Sequence, residues 1–369
     1  MPLVSSDEPA SVSAALGARL HAAIASAGGW LPFDRFMSMA LYEPGLGYYA
    51  SGRQLFGAMP SSGSDFVTAP ELSPLFGQSL APALAQALDE TRTDALWEFG
   101  AGSGALAGQL LQALGERVRA YHVFELSAAL RQRQQQRLAA WAGRVHWHDR
   151  LPDHLAGVVV GNEVLDAMPV QLLAFDGTQW FERGVVVQDG RFAWGDRPTD
   201  LRPPLERGRF LPGAVAELHL QAEAFVRTLA ERLQRGAAFF IDYGFPEHEY
   251  YHPQRHGGTL MCHRGHVADT DPLVDVGLKD ITAHVNFSAI ALAAQDAGLA
   301  VLGYTSQARF LLNGGLAERL QHADARERAA VQPLLLEHEM GELFKVIGLA
   351  AGEGFASLGF AAGDRSHTL

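Results

Sequence analysis

An apolar segment that runs into a glycine-rich turn is the feature that most constrains the fold of this chain. Residues 95–99 read Ala-Leu-Trp-Glu-Phe, and glycines follow at positions 100, 102 and 104. Because glycine has no Cβ, the backbone of such a turn can approach a ligand closely, and residues 105–114 can begin a helix whose free N–H groups face that ligand. The pattern predicts the first strand, turn and helix of an α/β nucleotide-binding sheet.

Further apolar runs predict a buried, mostly parallel sheet. Its strands are expected near 95–99, 120–125, 144–147, 157–161 and 237–242. Residues 170–194 alternate between apolar and polar and contain Asp189-Gly190, which indicates an inserted β-hairpin. We expect an N-terminal helical and lid region over 1–90, rich in aromatic residues and packed on a core over 91–369. Insertions into that core are expected at about 170–235 and 245–285.

Composition limits the kinds of partner that the protein can bind and the cellular compartment in which we expect it. A net charge of −12 argues against general binding to nucleic acid or anionic membranes, which need positive charge. We expect no membrane insertion, because no apolar run approaches the roughly 20 residues of a spanning helix. The N-terminus lacks the basic start and apolar core of a secretory signal, so we expect a bacterial cytoplasmic protein. The single cysteine, Cys262, fits a reducing compartment. A homodimer stays open.

The sequence of the glycine turn is compatible with two kinds of cofactor. Gly100, Gly102 and Ala105 fit the dinucleotide pattern G-x-G-x-x-G/A, as in an NAD-dependent oxidoreductase. Together with Glu98, the glycines also match the first motif of class I S-adenosylmethionine (SAM) methyltransferases, Glu-x-Gly-x-Gly-x-Gly. Glu125 ends the next apolar run, where a carboxylate would meet ribose hydroxyls with either cofactor.

Polar residues at the end of the fourth strand favour a catalytic role for this edge. Asn162, Glu163 and Asp166 follow the apolar run 157–161, at the carboxyl end where open α/β sheets bind ligands. If the chain turns helical after Asn162, the two acids are three residues apart and share one face. The alternative is a helix cap followed by a solvated acid. The arginines at 131, 133 and 137 are interpreted as a solvated helix face.

Six segments in order resemble one family. They are Phe36 to Tyr49, Asp65 to Gly77, Glu98 to Gly104, Asn162 to Pro169, Ile241 to Gly244 and Asp280 to Phe287. Together they resemble the MidA family, whose mitochondrial members are known as complex I assembly factor 7. The resemblance implies a class I, Rossmann-like SAM-methyltransferase fold with added helices. It also implies protein arginine methylation. In the mitochondrial branch of the family, the methylated protein is a complex I subunit. Asn286 departs from this pattern, which has an aspartate there.

The resemblance and the chemistry together give candidate site residues. A guanidinium nitrogen becomes nucleophilic only if carboxylates draw its positive charge toward the other nitrogens. We therefore expect Glu163 to clamp the guanidinium, Asp166 to assist, and His284, which the family motif includes, to accept a proton. The expected cofactor-binding residues are Glu98, Gly100, Gly102, Gly104, Glu125, Asn162 and, in the lid motif, Pro70.

Two other functions are compatible with the sequence, and one group of residues suggests a metal site. A non-catalytic assembly or chaperone protein could keep this fold and bind a protein partner. A nicotinamide oxidoreductase is the less favoured alternative. We expect no metal site, because the spacing of Cys262, His263 and His266 matches no closed zinc site.

Overall fold

The computed structural model describes residues 8–51, 67–205 and 210–369, with side chains from residue 11 onward. The first half of the chain forms α1 (Glu8–Ser26), β1 (Leu31–Pro32), α2 (Phe33–Tyr42), α3 (Ala69–Leu72), α4 (Leu75–Thr91), β2 (Ala95–Phe99), α5 (Ala105–Leu114), β3 (Ala120–Phe124), α6 (Ala128–Arg137), β4 (Val145–His148), β5 (Leu155–Asn162), β6 (Gln171–Phe175) and β7 (Trp180–Gln188).

The second half of the chain also contains both helices and strands. Its elements are β8 (Arg191–Pro198), β9 (Val215–Leu218), α7 (Leu220–Arg232), β10 (Leu233–Phe245), α8 (Glu247–Tyr250), β11 (Met261–Arg264), β12 (Val267–Asp269), β13 (Asp280–Thr282), β14 (Val285–Asn286), α9 (Phe287–Asp296), β15 (Leu299–Ser306), α10 (Gln307–Asn313), α11 (Leu316–His322), α12 (Ala325–Leu335), α13 (Met340–Leu343) and β16 (Phe344–Ala351). Across the described ranges, none of the helices has the length and apolar character needed to span a membrane.

The chain divides into two compact units. The first comprises residues 1–55, 167–222 and 248–284, and the second comprises 56–166, 223–247 and 285–369. The 167–222 and 248–284 segments of the first unit overlap the insertions expected at about 170–235 and 245–285. Helix α4 and the glycine turn both belong to the second unit.

The second unit is built on a mixed eight-stranded sheet. Seven strands follow the order β15-β16-β10-β5-β2-β3-β4, and β14 pairs with β10. Strands β4, β3, β2, β5 and β10 are parallel, whereas β16 runs antiparallel to both β10 and β15. The five strands predicted from apolar runs are all confirmed. Because these strands are parallel, β2, β3, β5 and β10 bring their carboxyl ends to the same edge.

Helices α4 and α5 cover one face of this sheet and supply much of its core. Leu80 and Leu84 of α4 and Leu110 of α5 are at most 2% exposed and belong to the same apolar cluster as Leu96 and Val160 of the sheet. Full burial of each such side chain contributes about 1.5–3 kcal/mol. This packing fixes the start of α5, and therefore the glycine turn before it.

The first unit contains two smaller sheets. One has the order β1-β7-β6-β9, with β8 paired to β7, and the other has the order β12-β11-β13. Strands β7 and β8 form the predicted hairpin. Its turn residues Asp189 and Gly190 have φ values of +50° and +74°, the two positive values that a type I′ hairpin turn requires.

Candidate functional site

The glycine turn adopts a backbone that only glycine enters easily. Gly100, Gly102 and Gly104 have φ values of +64°, +53° and +81°, and Gly104 is the N-cap of α5. A Cβ on Gly100 would lie 2.9 Å from the Cγ2 of Val164. The turn therefore leaves a backbone-lined edge at the helix N-terminus, which suits a ligand that approaches closely.

Glu98 is a buried acid on the strand that leads into this turn. It is 2% exposed, and its Oε2 accepts a hydrogen bond of 2.7 Å from the hydroxyl of Tyr121. Burial raises the pKa of Glu98 to about 7, against the smaller opposing effect of the Tyr121 bond. A positively charged ligand group beside it would favour the ionised carboxylate.

Glu125 directly follows β3, whose last residue, Phe124, pairs with Phe99 at the end of β2. Its Oε1 accepts from the backbone N–H of Ser127 at 2.8 Å, and its Oε2 accepts from the Nε2 of Gln134 at 2.9 Å. Burial raises the pKa of Glu125, while these two bonds oppose the shift. The carboxylate is thus held in a defined orientation at the edge of the sheet.

Asn162 and Glu163 stand at the end of β5, next to β2 and β10. The Nδ2 of Asn162 donates to the Oε1 of Glu163 at 2.8 Å. Within the described ranges the buried Oδ1 of Asn162 has no hydrogen-bond partner, which makes it an acceptor available to a ligand. Glu163 has a φ of +55°, an uncommon conformation for a residue with a side chain.

The chain does not turn helical after Asn162, so the condition under which Glu163 and Asp166 would share a helix face is not met. Residues 163–168 form bends and a turn, because Glu163 leaves the right-handed helical region. The Oδ2 of Asp242, on β10, accepts from the N–H groups of Val164, Leu165 and Asp166 at 3.1, 2.9 and 3.2 Å. A carboxylate some 75 residues away in sequence therefore shapes this turn, which the local pattern could not reveal.

Three carboxyl groups gather at this point. Asp242 is 1% exposed and Asp166 is 4% exposed. Burial, followed by the negative charges of Asp166 and Glu163, raises the pKa of Asp242 well above its ordinary value. The cluster concentrates negative potential at the carboxyl edge of the sheet, and a cationic group would relieve it.

A polar cluster connects the α3 segment to the glycine turn. Arg137 Nη1 donates to Glu71 Oε1 at 2.8 Å and to the Oγ of Ser103 at 2.6 Å, and the Ser103 hydroxyl also donates to Glu71. Pro70 is buried at the start of α3, and its carbonyl accepts from the Nε2 of Gln109 at 2.7 Å. Arg137 is exposed, as the interpretation of residues 131, 133 and 137 as a solvated face predicts, although it is also ion-paired. That interpretation is wrong for Arg131, which is half-buried and donates from Nη2 to the carbonyl of Glu125 at 2.9 Å.

His284 lies in the first unit, whereas the two candidate acids lie in the second. Its backbone N–H donates to the Oγ1 of Thr259 at 3.1 Å. That hydroxyl is 3.2 Å from the hydroxyl of Tyr250, which in turn lies 3.1 Å from the Nε2 of His219. Burial lowers the pKa of His219 to about 4, against the smaller opposing effect of its hydrogen bond to the backbone of His284. A buried polar network thus supports the backbone at position 284.

Two further residues singled out in the sequence have structural surroundings. Asn286 caps α9, and its Oδ1 accepts from the N–H of Ala289 at 3.2 Å. Cys262 is buried on β11, where burial raises the pKa of its thiol to about 12. The described ranges hold no group of three histidine, cysteine or acidic side chains arranged for a metal ion.

The residues at the carboxyl edge fit a SAM-like cofactor. Left-handed glycines lie beside carboxylates at the ends of two neighbouring parallel strands, and the Asn162 amide oxygen offers a buried acceptor. The residues that sequence reasoning missed are Gln134, Ser103 and Arg137. The signal of Gln134 and Arg137 is weak because α6 reads Ala-Ala-Leu-Arg-Gln-Arg-Gln-Gln-Gln-Arg, a composition typical of a surface helix.

Comparison with known proteins agrees with this fit. Residues 79–305 match a family model described as "Putative S-adenosyl-L-methionine-dependent methyltransferase". A Burkholderia thailandensis protein crystallised with S-adenosyl-homocysteine is 53% identical, covers 100% of both chains and superposes with a TM-score of 0.94. A native crystal structure from the same organism is 52% identical over 100% of both chains, with a TM-score of 0.89.

Curated relatives with more distant sequences also match this chain. The Drosophila melanogaster "Protein arginine methyltransferase NDUFAF7 homolog, mitochondrial" is 29% identical and covers 91% of this chain and 85% of its own. The Danio rerio "Protein arginine methyltransferase NDUFAF7, mitochondrial" is 28% identical and covers 78% of this chain and 73% of its own. The chain therefore belongs to the SAM-dependent methyltransferase family that contains MidA and the NDUFAF7 proteins, and SAM is its cofactor.

Proposed function

We propose that this methyltransferase transfers the methyl group of SAM to arginine side chains of a partner protein. By analogy with the mitochondrial relatives, the partner is a subunit of respiratory complex I. The names of the NDUFAF7 relatives support arginine as the acceptor. The acidic cluster at the carboxyl edge supports the same acceptor, because a guanidinium is the cation it would hold best.

The strand order supports the class I assignment of the fold. Read from β4, the sheet runs β4-β3-β2-β5-β10-β16-β15, with only β16 reversed among these seven strands. In this arrangement the glycine turn follows β2, which lies between β3 and β5. A ligand crevice then lies outside the carboxyl ends of β2, β3 and β5, as the general rule for open α/β sheets requires.

We assign the cofactor to the residues at that edge. Glu98 faces the positively charged amino acid portion of SAM, the glycines at 100, 102 and 104 allow its close approach, and Glu125 accepts the ribose hydroxyls. Asn162 offers its buried Oδ1 as an acceptor. Pro70 fixes the segment that forms the lid of the cofactor site.

The bound cofactor supplies an electrophilic methyl group on a sulfonium. The protein has to orient one guanidinium nitrogen toward that methyl group and draw the positive charge to the other nitrogens. Glu163 does this by accepting hydrogen bonds from the guanidinium, and Asp166 reinforces the negative potential. On the resemblance of its sequence motif to the family alone, we assign His284 as the acceptor of the proton that the nitrogen loses.

The conformation of Glu163 is the observation that carries this proposal. An acidic residue occupies a left-handed position at φ +55°, and its carboxylate is oriented by the amide of Asn162. Left-handed positions usually hold glycine or asparagine, and strained side chains concentrate at functional sites. A charged side chain kept in this place is explained by a requirement for its carboxylate.

Transfer of a labelled methyl group tests the acceptor. Wild-type protein and the Glu163→Gln variant are incubated with methyl-labelled SAM and an extract of cells that lack this chain, and labelled peptides are identified by mass spectrometry. We expect label on arginine with the wild type. The variant should lose at least about 100-fold of the rate, comparable to the loss of one preorganised charge-stabilising group.

Calorimetric titration with S-adenosyl-homocysteine shows whether the variant keeps its cofactor site. Glu353→Gln, a change at an exposed glutamate, is the matched control and should retain the wild-type rate. Label on lysine, on a carboxyl group or on a small molecule would overturn arginine as the acceptor. If the wild type binds the cofactor product but labels nothing, the chain acts as a non-catalytic assembly protein and the proposal is wrong.

A further inference from the structure

Gln134 is a buried amide on a helix that otherwise looks polar and exposed. It is 0% exposed, although α6 contains no strongly apolar residue after Leu130. Its Nε2 donates to the carbonyl of Gly102 at 2.9 Å and to the Oε2 of Glu125 at 2.9 Å. Its Oε1 accepts from the Nε1 of Trp147 at 3.0 Å. One side chain therefore joins the glycine turn, the acid after β3 and the residues of β4.

These three partners define the orientation of the amide. The indole of Trp147 is only a donor, so it must face the Gln134 oxygen. The carbonyl of Gly102 and the carboxylate of Glu125 are acceptors, so both must face the amino group. A flipped amide would place donor against donor at Trp147 and acceptor against acceptor at the other two partners.

Backbone packing holds α6 against the turn. A Cβ built on Gly104 would lie 3.5 Å from the Cγ of Gln134 and 3.6 Å from its Cα. The second carboxylate oxygen of Glu125 is held by the N–H of Ser127, which begins the same helix at the N-cap. Both oxygens of Glu125 are thus anchored by α6, one through its backbone start and one through Gln134.

We infer that Gln134 is a positioning residue, which sets the distance and orientation of the Glu125 carboxylate relative to the glycine turn so that it can receive the ribose hydroxyls of SAM. This inference rests on the role proposed above for Glu125. Gln134 does not itself contact the cofactor. It acts by holding two separate parts of the cofactor site, the turn after β2 and the acid after β3, in one geometry.

Three side chains of related size or polarity fail these requirements. A glutamate would bring a second negative charge to Glu125 and to the carbonyl of Gly102. A lysine would leave the Trp147 donor without an acceptor, and an asparagine is one methylene shorter. The neutral, longer amide supplies one acceptor and two donors at the required reach.

Binding of two ligands tests the inference. Calorimetry compares S-adenosyl-homocysteine with its analogue that lacks the ribose 2′-hydroxyl, on wild-type protein and on Gln134→Met, which keeps the length and loses the amide. The wild type should bind the complete ligand about tenfold or more tightly than the analogue, since the hydroxyl bonds to a charged group. Gln134→Met should lose most of that preference while binding the analogue nearly as well as the wild type does.

Matched variants separate positioning from general damage. Gln135→Met changes an exposed neighbour on the same helix and should leave both affinities unchanged. Trp147→Phe removes the indole donor together with part of a half-buried ring system, so it should reduce the preference partially and in the same direction. Glu125→Gln should also lose the preference, and adding Gln134→Met to it should change little further.

Equal weakening of both ligands in Gln134→Met would show a merely structural role and overturn the inference, as would an unchanged preference. A wild type that binds both ligands equally would overturn the roles of both Glu125 and Gln134. These results do not depend on the methyl acceptor. Failure of arginine methylation would instead appear in the labelling experiment, with cofactor binding intact.

Discussion

Glu163 destabilises the folded protein, and its proposed role in methyl transfer explains why it is present. Its φ of +55° places a Cβ where the left-handed backbone disfavours one, at a cost of about 1–2 kcal/mol. Its charge also adds to the repulsion among the carboxyl groups around Asp242. Both effects oppose folding, and the proposed clamp on a guanidinium explains why a glutamate is nevertheless present.

Glu163→Gly should therefore stabilise the protein and inactivate it. We expect the free energy of unfolding to rise by about 1 kcal/mol, because glycine enters this conformation freely. Methyl transfer should fall at least as far as in Glu163→Gln. Chemical denaturation and the labelling assay measure the two effects on the same preparations.

Asp189→Gly is the matched control for backbone strain. Asp189 is exposed and has a φ of +50° in the β7–β8 turn. Its replacement should give a similar gain in stability and leave methyl transfer unchanged. A destabilised Glu163→Gly, or one with wild-type activity, would contradict the account of strain retained for function.

The buried carboxyl of Glu98 should make stability depend on pH. Burial raises its pKa to about 7 in the folded state, against 4.5 as the ordinary value. Its protonated form therefore stabilises the fold fully below about pH 4.5, and this contribution is lost as the pH rises through about 7. The total is about 3 kcal/mol.

Glu98→Gln should remove this dependence, because the amide is neutral and its oxygen can still accept from Tyr121. Chemical denaturation at pH 5 and at pH 7.5 should show a smaller loss of stability with rising pH in Glu98→Gln than in the wild type. Glu353→Gln, at an exposed position, should behave as the wild type does. Identical pH dependence in all three proteins would contradict the raised pKa.

At the scale of elements, strands were the part that the sequence predicted well. The runs at 95–99, 120–125, 144–147, 157–161 and 237–242 are apolar enough to be recognised as strands from the local sequence. Glycines directly after a strand indicate which edge of the sheet binds the ligand. The turn after β5 was not predictable in this way. Its N–H groups are satisfied by Asp242, a partner on another strand, so no local periodicity describes it.

The same reason explains why α6 was misread. Its sequence has the composition of a solvated helix, yet the buried Gln134 bonds to the glycine turn and β4, and the exposed Arg137 bonds to the glycine turn and α3. Polar side chains that are buried because a tertiary partner satisfies them carry no apolar signature. Candidate acids and glycines could be identified from their types, whereas the residues that orient them could not.

The turn after β5 should lose its structure when its acceptor is removed. Asp242→Leu leaves the N–H groups of residues 164–166 without the carboxyl oxygen that they share, which should cost at least about 3 kcal/mol at about 1–3 kcal/mol for each buried group. Asp242→Asn keeps one oxygen for these groups and should cost about 1 kcal/mol, mainly through the N–H of Tyr243.

Hydrogen exchange of the amides at 164, 165 and 166 localises the effect. These amides should exchange much faster in Asp242→Leu and only slightly faster in Asp242→Asn, while amides in the centre of β5 keep their protection in Asp242→Asn. Equal loss of stability in the two variants would mean that the carboxyl oxygen does not organise the turn.

At the scale of the whole molecule, cofactor binding should be linked to unfolding. A ligand at 100 times its dissociation constant that binds only the folded state stabilises it by about 2.7 kcal/mol. S-adenosyl-homocysteine should therefore raise the wild-type unfolding temperature. Gly102→Val should abolish this shift, because a branched side chain at φ +53° both strains the turn and occupies the edge that the ligand approaches.

Gly190→Val separates strain from loss of the site. Gly190 has a φ of +74° in the β7–β8 hairpin, where an added Cβ meets no atom within 4 Å. Both valine variants should unfold at lower temperature than the wild type in the absence of ligand, by similar amounts. Only Gly190→Val should regain stability when S-adenosyl-homocysteine is added, since its glycine turn is intact. A ligand-induced shift of wild-type size in Gly102→Val would mean that the cofactor does not approach the backbone at this turn.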